Sequence, residues 1–200
     1  VKSQIDKYYK YQSEAQSALA EAAAAAAITG GSITVHTCPS HLAAPMAVLR
    51  RMGCYIQTEE HSITLRAPER LTGAGSIVTL PYPGFPTDLQ AIFMALAAAA
   101  EGYATVTETV FPRRWAHVEE LRRMGADITV AGNCAVIRGV PLTGAAVTCT
   151  DLRAGAAVAL AALATAGEST VTALSHIERG YADFVPTLRA LGADITITEV

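Results

Sequence analysis

The chain contains 200 residues, of which 51% are apolar and 16% charged, and its formal net charge is −3. This length and apolar content suffice for one sizeable core and exclude a disordered chain. Lys and Arg number 15 against 18 Asp and Glu, without a basic run, which disfavours a nucleic-acid partner. The longest apolar stretches, residues 91–100 and 154–166, are shorter than the roughly 18–20 residues of a membrane span. Because no signal-peptide pattern is present either, we expect a soluble, cytoplasmic protein with no membrane partner.

The first dozen residues differ in composition from the rest. Lys2, Lys7 and Lys10 lie here, and every strong base after them is an arginine. A charged amphipathic helix is one interpretation. We instead expect residues 1–12 to be a linker, a tag or the exit from a missing part, and residues 13–200 to form the domain.

The domain repeats one pattern three times. Residues 49–53 (LRRMG) recur at 121–125 (LRRMG) and 188–192 (LRALG), and each copy precedes a strand-like run. An alanine-rich helical run that ends in glycine, followed by a β-branched segment, precedes each copy. LTGA at residues 71–74 recurs at 142–145, and TDL at 87–89 recurs at 150–152. These matches predict units of about 13–80, 81–145 and 146–200.

Each unit is predicted to contain a helix, a strand, a second helix and then two or more strands. Units of this length exceed the 20–50 residues of solenoid repeats, so we expect them to close around one core. The alternation of strands and helices favours crossover connections. The predicted fold class is therefore α/β (α+β), with the alanine-rich helices buried on most sides.

Two aspartates stand at predicted helix starts, Asp88 after PGFPT and Asp151 within CTDLR. Either aspartate, or the threonine before it, could cap its helix. Alternatively, equivalent helix starts converge and bind phosphate or carboxylate. The prolines around Gly84 restrict the loop before Asp88, which makes Asp88 a candidate general base.

Loop arginines strengthen the expectation of an anionic ligand. Arg153, Arg179 and the pair Arg113 and Arg114 lie near these helix starts or in polar loops, and a guanidinium matches carboxylate and phosphate geometry. The alternative is a surface ion pair, such as one from Arg179 to Glu178 or Asp183.

Other kinds of chemistry receive less support. His117 and His176 could relay protons, although structural histidines are the simpler interpretation. The sequence contains no phosphate-binding P-loop, no dinucleotide fingerprint and no serine nucleophile elbow. The cysteines form no C-x-x-C pair and predict reduced thiols without a metal; they are Cys38, Cys54, Cys134 and Cys149.

Five segments, in this order along the chain, resemble the UDP-N-acetylglucosamine 1-carboxyvinyltransferases of the enolpyruvyl transferase family. They are residues 81–90 (PYPGFPTDLQ), 107–111 (TETVF), 126–128 (ADI), 150–154 (TDLRA) and 176–181 (HIERGY). The resemblance extends from about residue 20 to residue 200 and covers the C-terminal half of such an enzyme. Because family members have two lobes, each an inside-out α/β barrel of three similar units, it implies one such lobe with its helices inside.

The resemblance also implies a reaction, the opening step of peptidoglycan synthesis. The enolpyruvyl group of phosphoenolpyruvate moves to the 3-hydroxyl of UDP-N-acetylglucosamine through a tetrahedral intermediate, with release of phosphate and without a metal or organic cofactor. Asp88 would accept the hydroxyl proton, and Arg179 would contact phosphoenolpyruvate when the lobes close. The implied substrate-binding residues are Asp88, Val110, Phe111, Arg114, Asp151, Arg153 and Arg179.

The sequence departs from the family pattern in three ways, one of which is that residues 13–27 lack the Arg-Ile-Glu entry to the first helix found in the family's early unit. Residues 112–117 read PRRWAH where the family has ENRFMH, although Arg114 and His117 keep their places. The family's catalytic lysine and loop cysteine belong to the N-terminal half, so we expect this chain alone to be inactive and to need a missing lobe on the same or a separate polypeptide. The alternatives are a lobe of the shikimate-pathway enolpyruvyl transferase and a non-catalytic module that binds an anion or nucleotide sugar.

Overall fold

The computed structural model describes residues 19–181, 184–190 and 192–198. The predicted linker at residues 1–12 and the possible ion-pair partner Asp183 lie outside these ranges. The first part of the chain forms α1 (including residues 19–28), β1 (Ser32–His36), a 3-10 turn (Pro39–Leu42), α2 (Ala43–Arg51), β2 (Tyr55–Thr58) and β3 (Ser62–Arg66). The middle part forms β4 (Gly75–Val78), a 3-10 turn (Thr87–Leu89), α3 (Gln90–Ala99), β5 (Tyr103–Thr107), α4 (Ala116–Arg123), β6 (Asp127–Ala131) and β7 (Cys134–Arg138). The last part forms β8 (Ala146–Thr148), α5 (Leu152–Leu163), β9 (Thr170–Thr172), α6 (Ser175–Glu178) and α7 (Phe184–Ala190).

Three small sheets correspond to the three predicted units. The first has the strand order β1-β3-β2, the second β4-β5-β7-β6 and the third β8-β9. β4 pairs in parallel with β5, as β8 does with β9, whereas β5 and β6 are antiparallel to β7. Each parallel pair is joined through a helix, as a crossover requires. By its hydrogen bonds, β4 therefore belongs to the sheet of the second unit, although the repeat boundary near residue 80 assigns it to the first.

The third unit differs from the prediction. A strand-like run was expected after the third copy of the motif, yet residues 193–198 carry no strand. In the first two units the corresponding strands, β2 and β6, pair with β3 and β7. Within the described ranges, the third unit has no counterpart of β3 or β7. Without a neighbouring strand to share its hydrogen bonds, this segment forms no β-ladder, whatever its side-chain pattern.

The repeated LRxxG motif has a backbone cause. Its glycines, Gly53, Gly125 and Gly192, have φ angles of 94°, 90° and 99°. Side chains with a Cβ atom rarely adopt this left-handed conformation, and glycine adopts it freely. The glycine therefore ends the helix in each unit and turns the chain toward the following segment.

The repeated LTGA motif marks a close approach between neighbouring units. A Cβ atom on Gly73 would collide with the backbone of Tyr103, and one on Gly144 with the backbone of Glu168. The preceding Thr72 donates its amide to the carbonyl of Met52 in the same unit at 3.0 Å. Glycine thus lets the chain pass directly against the next unit, which explains why both copies carry it.

The core is built around α3 and α5, which pack against each other. Every α3 residue from Gln90 to Ala98 is buried, as are seven residues of α5. Small alanine side chains let helices pack closely. The burial of α3 and α5 confirms the prediction of buried alanine-rich helices. None of the helices in the described part of the chain is both long and apolar enough to span a membrane.

Candidate functional site

The loop that leads to Asp88 is closed by its own hydrogen bonds. Leu80 donates its amide to the carbonyl of Phe85 at 2.8 Å, and Gly84 donates to Pro81 at 2.8 Å. The Phe85 ring packs edge-on against Phe93, with 4.9 Å between the ring centroids. A Cβ atom on Gly84 would collide with the side chain of Leu80. The loop therefore fixes the position of the 3-10 turn that carries Asp88.

Asp88 is held between two arginines. Arg114 Nη1 donates to Asp88 Oδ1 at 2.8 Å, and Arg153 Nη2 donates to Asp88 Oδ2 at 3.0 Å. The Asp88 side chain remains 32% exposed, so a ligand can reach it. The possibility that Asp88 or Thr87 caps the helix is wrong: the N-cap position of the turn is Pro86, without a side-chain cap bond. Both carboxylate oxygens of Asp88 are instead engaged by the arginines.

Asp151, unlike Asp88, caps a helix. Its Oδ1 accepts hydrogen bonds from the amides of Arg153 at 2.9 Å and Ala154 at 2.8 Å, which makes it the N-cap of α5. Capping satisfies amides that the helix leaves unpaired. The two copies of the TDL motif therefore use their aspartates differently, and Asp151 supports the helix start from which Arg153 extends to Asp88.

Arg153 also binds Glu21, a residue of α1 that the sequence did not single out. Arg153 Nη1 donates to Glu21 Oε1 at 2.7 Å and to the Tyr181 hydroxyl at 2.6 Å. Burial raises the pKa of Glu21 to about 7, against the opposing effects of the Tyr181 hydroxyl and the Arg153 charge. Burial likewise raises the pKa of the Tyr181 phenol. The available sequence signal was one carboxylate within an otherwise apolar alanine-rich helix.

Glu108 is a buried carboxylate that organises the loops on the other side of Asp88. Its Oε1 accepts from Thr79 Oγ1 at 2.7 Å and from the amides of Val110 and Phe111 at 2.8 and 2.9 Å. Its Oε2 accepts from Thr87 Oγ1 at 2.9 Å. Glu108 therefore ties the Val110–Phe111 loop to the residue next to Asp88. The TETVF segment was noted in the sequence, but no role was assigned to its glutamate.

An exposed apolar surface adjoins the charged cluster formed by Asp88, Arg114, Arg153 and Glu21. The side chains of Val110 and Phe111 are 36% and 56% exposed. The Arg114 guanidinium carbon lies 5.5 Å from the centre of the Phe111 ring, within cation–π range. Exposed apolar side chains beside charged groups suit a ligand that has both a ring and charged groups.

Arg179 lies two residues before Tyr181, which binds Arg153, but does not itself join these contacts. It is exposed at the C-terminal end of α6 and makes no ion pair with any residue in the described ranges. The following Gly180 packs tightly on the start of α5, since a Cβ atom there would lie 2.5 Å from Leu152 Cδ2. The turn that carries Arg179 is thus anchored beside the helix that carries Arg153.

The two candidate histidines differ in environment. His117 is buried, with Nε2 3.2 Å from the sulfur of Met94, and burial lowers its pKa to about 4. It is therefore neutral near pH 7. His176 is partly exposed in α6. Neither histidine has a hydrogen bond to Asp88 among the described contacts, in agreement with the structural interpretation.

The charges of the cluster nearly balance, because Arg114 and Arg153 face Asp88 and Glu21. Arg113, next to Arg114 in the chain, and Arg179 are both exposed. Within the described residues, no group of three or more potential ligands could hold a metal ion. A cavity of about 810 Å³ lies elsewhere, between α1, β1, α5 and α7, and none of the candidate site residues lines it. The arrangement at Asp88 is thus an accessible, oriented carboxylate beside arginines and an apolar surface.

Known proteins resemble this chain over most of its length. The family model for EPSP synthase (3-phosphoshikimate 1-carboxyvinyltransferase) matches residues 13–188. The chain belongs to the EPSP synthase family. Among its curated relatives, the UDP-N-acetylglucosamine 1-carboxyvinyltransferase of Magnetococcus marinus is 51% identical over 173 residues, which are 86% of this chain and 41% of that protein. The protein of the same name from Synechocystis sp. is 50% identical over 177 residues, or 88% of this chain and 40% of the relative.

Two solved structures share the fold. The enolpyruvyl transferase NikO from Streptomyces tendae matches with a TM-score of 0.78 and 26% identity, over 90% of this chain and 43% of that one. The EPSP synthase from Acinetobacter baumannii matches with a TM-score of 0.70 and 21% identity, over 90% of this chain and 47% of that one, which shows the fold alone. The resemblance seen in the sequence and the mixed α/β fold are confirmed. The chain spans about two fifths of the curated relatives it matches.

Proposed function

We propose that the chain is the C-terminal lobe of a UDP-N-acetylglucosamine 1-carboxyvinyltransferase, the transferase that opens peptidoglycan synthesis. It would act with a second lobe, on the same or a separate polypeptide. Its relatives at about 50% identity carry that name. The observation that carries the proposal is the oriented, accessible carboxylate of Asp88 between Arg114 and Arg153. Because the chain matches only 41% of the first relative, the complete activity is assigned to the two lobes together.

In this proposal Asp88 is the general base. It accepts the proton of the sugar 3-hydroxyl while the sugar oxygen bonds to C2 of phosphoenolpyruvate, the C2–C3 double bond opens and C3 takes up a proton. The tetrahedral adduct then loses a proton from C3 and expels phosphate, which restores the double bond. A base must be held within hydrogen-bond reach of the proton it takes. The closed loop before Asp88 and the two arginines supply that orientation before the substrate binds.

The neighbouring residues divide the binding of the two substrates. Val110 and Phe111 line the UDP-sugar pocket, with Arg114 beside them. Arg153 and the α5 start capped by Asp151 contribute to the anion site. Arg179 contacts phosphoenolpyruvate when the lobes close, which its exposure permits. Preorganised cations of this kind stabilise charge that develops on phosphate and on the adduct.

The architecture and cellular setting belong to the same proposal. We infer that the three predicted units, with β4 moved into the second, form one inside-out α/β barrel, supported by the buried α3 and α5 and the three small sheets. The chemistry uses no metal or organic cofactor, and the partners are the two substrates and the other lobe. The location is the cytoplasm, in keeping with two highly charged phosphorylated substrates.

Calorimetry tests the substrate assignment. The chain is titrated with UDP-N-acetylglucosamine and with shikimate 3-phosphate, alone and after fusion to the complementary lobe of the Magnetococcus marinus relative, here called the complemented enzyme. We expect binding of the nucleotide sugar and release of phosphate from phosphoenolpyruvate by the complemented enzyme. Preference for shikimate 3-phosphate would contradict the assignment of UDP-N-acetylglucosamine as the substrate. Sugar binding with no phosphate release would instead indicate a non-catalytic binding module.

A further inference from the structure

Glu21 is linked to Asp88 through a single guanidinium. Glu21 Oε1 accepts from Arg153 Nη1 at 2.7 Å, and the other terminal nitrogen of Arg153 donates to Asp88 Oδ2 at 3.0 Å. A guanidinium is planar, and its donors form a rigid fork. Fixing Nη1 therefore determines where Nη2 points.

A second contact fixes the same end of the fork. The Tyr181 hydroxyl accepts from Arg153 Nη1 at 2.6 Å, and the Tyr181 ring centre lies 5.6 Å from the guanidinium carbon. The Arg153 and Glu21 side chains are only 13% and 8% exposed. Buried charge-assisted hydrogen bonds of this kind are short and directional. Glu21 itself is too deeply buried to touch a ligand at Asp88.

We propose that Glu21 is a positioning residue for the base: its ionised carboxylate orients the Arg153 guanidinium toward Asp88 and takes a share of the guanidinium charge. The inference rests on the function proposed above, because it concerns how the base Asp88 is held in that reaction. When Glu21 is ionised, its carboxylate holds Nη1 and keeps the Arg153 fork directed at Asp88. When Glu21 is neutral, the charge-assisted bond to Nη1 is lost and the fork is held less firmly.

The charged state of Glu21 changes in the neutral range. Burial raises its pKa to about 7, and the charged or titratable groups that face it are Arg153 from α5, Tyr181 after α6 and Asp88 before α3. Turnover should therefore increase as the pH rises through 7. A purely structural ion pair would affect stability and leave the pH profile of turnover unchanged.

The first test measures kcat and KM against pH in the complemented enzyme for the wild type, Glu21→Gln and the control Glu119→Gln. Glu119 is an exposed carboxylate paired with Arg122. We expect the wild type and the control to gain about tenfold in kcat through an inflection near pH 7, with KM for the sugar changing less than about twofold. Glu21→Gln should keep the low-pH kcat throughout. An unchanged inflection in Glu21→Gln would overturn the proposal.

The second test needs no activity. In nitrogen NMR spectra of the 200-residue chain, an anchored guanidinium rotates slowly and gives separate Nη signals, assigned for Arg153 by their loss in Arg153→Met. At pH 8.5, where Glu21 is ionised, we expect separate signals in the wild type and Glu119→Gln, and merged signals in Glu21→Gln. Separate signals in Glu21→Gln, or merged signals in the wild type, would overturn the role of Glu21. Absence of phosphate release from the wild-type complemented enzyme would count against the proposed function alone, because the NMR result decides the role of Glu21 independently.

Discussion

Arg153 Nη2 lies 3.0 Å from Asp88 Oδ2, although the two residues are 65 positions apart in the chain. The contact joins the helix start of the third unit to the corresponding turn of the second. Glu21 from α1 binds the same guanidinium, so all three units meet at Arg153. The candidate site therefore depends on closure of the repeat.

Removing Arg153 should destabilise the fold in a pH-dependent way. Arg153→Met leaves the buried Glu21 carboxylate without its partner, and breaking a buried pair costs about 3–5 kcal/mol. We expect a loss near 3 kcal/mol at pH 8.5 and a smaller loss at pH 5.5, where Glu21 is protonated. Urea unfolding of the wild type and of Arg153→Met at the two pH values measures this loss of stability. Arg138→Met, which removes an exposed pair with Asp127, should have little effect on stability. An equal loss at both pH values in Arg153→Met would contradict this account.

Glu108→Gln should loosen two loops at once. The amide replaces a carboxylate oxygen that accepts hydrogen bonds, so at least one of the donors from Thr79, Thr87, Val110 or Phe111 is left unpaired. The expected loss of stability is about 2–4 kcal/mol, with weaker binding of UDP-N-acetylglucosamine. Chemical denaturation and calorimetry measure the two effects. Glu119→Gln serves as the control, and wild-type stability in Glu108→Gln would show that the buried carboxylate does not organise these loops.

Burial of Glu21 and of His117 should make the stability of the folded chain change with pH in opposite directions. The folded-state pKa of Glu21 is raised from 4.5 to about 7, so its contribution falls as the pH rises through that window. The pKa of His117 is lowered from 6.5 to about 4, so its contribution is present above 6.5 and is lost as the pH falls toward 4. Each effect amounts to about 3 kcal/mol, and between pH 4.5 and 6.5 they oppose each other.

Unfolding free energies of single variants separate the two groups. Glu21→Gln should become more stable as the pH rises from 4.5 to 6.5, because only the His117 contribution remains. His117→Gln should become less stable over the same range. Glu119→Gln should follow the wild type. If the unfolding free energies of all four proteins changed with pH in the same way, burial would not perturb the titration of Glu21 and His117 as described.

Gly84→Ala tests the rigidity of the loop before Asp88. The added methyl would collide with Leu80 and lie 3.0 Å from the Pro81 carbonyl oxygen, so we expect a loss of about 1–3 kcal/mol and a lower kcat. The matched control is Gly31→Ala, where the nearest atom to the new Cβ is 3.6 Å away. Thermal unfolding and turnover of the complemented enzyme measure both variants. Equal behaviour of the two variants would show that the loop does not need glycine.

Repetition within the sequence was sufficient to predict much of this fold. The recurrence of LRxxG and LTGA reflects backbone requirements, a left-handed glycine and a close approach between units, that must be met each time the unit is built. The same logic predicted convergence of the second and third helix starts, which the Asp88–Arg153 pair bears out. Local constraints of this kind are visible in sequence because each repeat expresses them in the same residues.

Other features depended on contacts that no local pattern expresses. Glu21 lies in an alanine-rich run, and its importance comes from Arg153, 132 positions away. The shared TDL motif could not reveal that Asp151 caps a helix while Asp88 binds two arginines, because the difference lies in which cations reach each carboxylate. The expected strand over residues 193–198 failed for a similar reason, since a strand requires a partner as well as a pattern.

The most direct test of the account is turnover of Asp88→Asn in the complemented enzyme. Asparagine keeps the shape of the side chain and removes its basicity. We expect kcat to fall by about 10²–10⁴ while the Kd for UDP-N-acetylglucosamine changes less than about threefold, and Asp127→Asn, at an exposed ion pair, to retain wild-type values. Near-normal kcat in Asp88→Asn would contradict the assignment of Asp88 as the base.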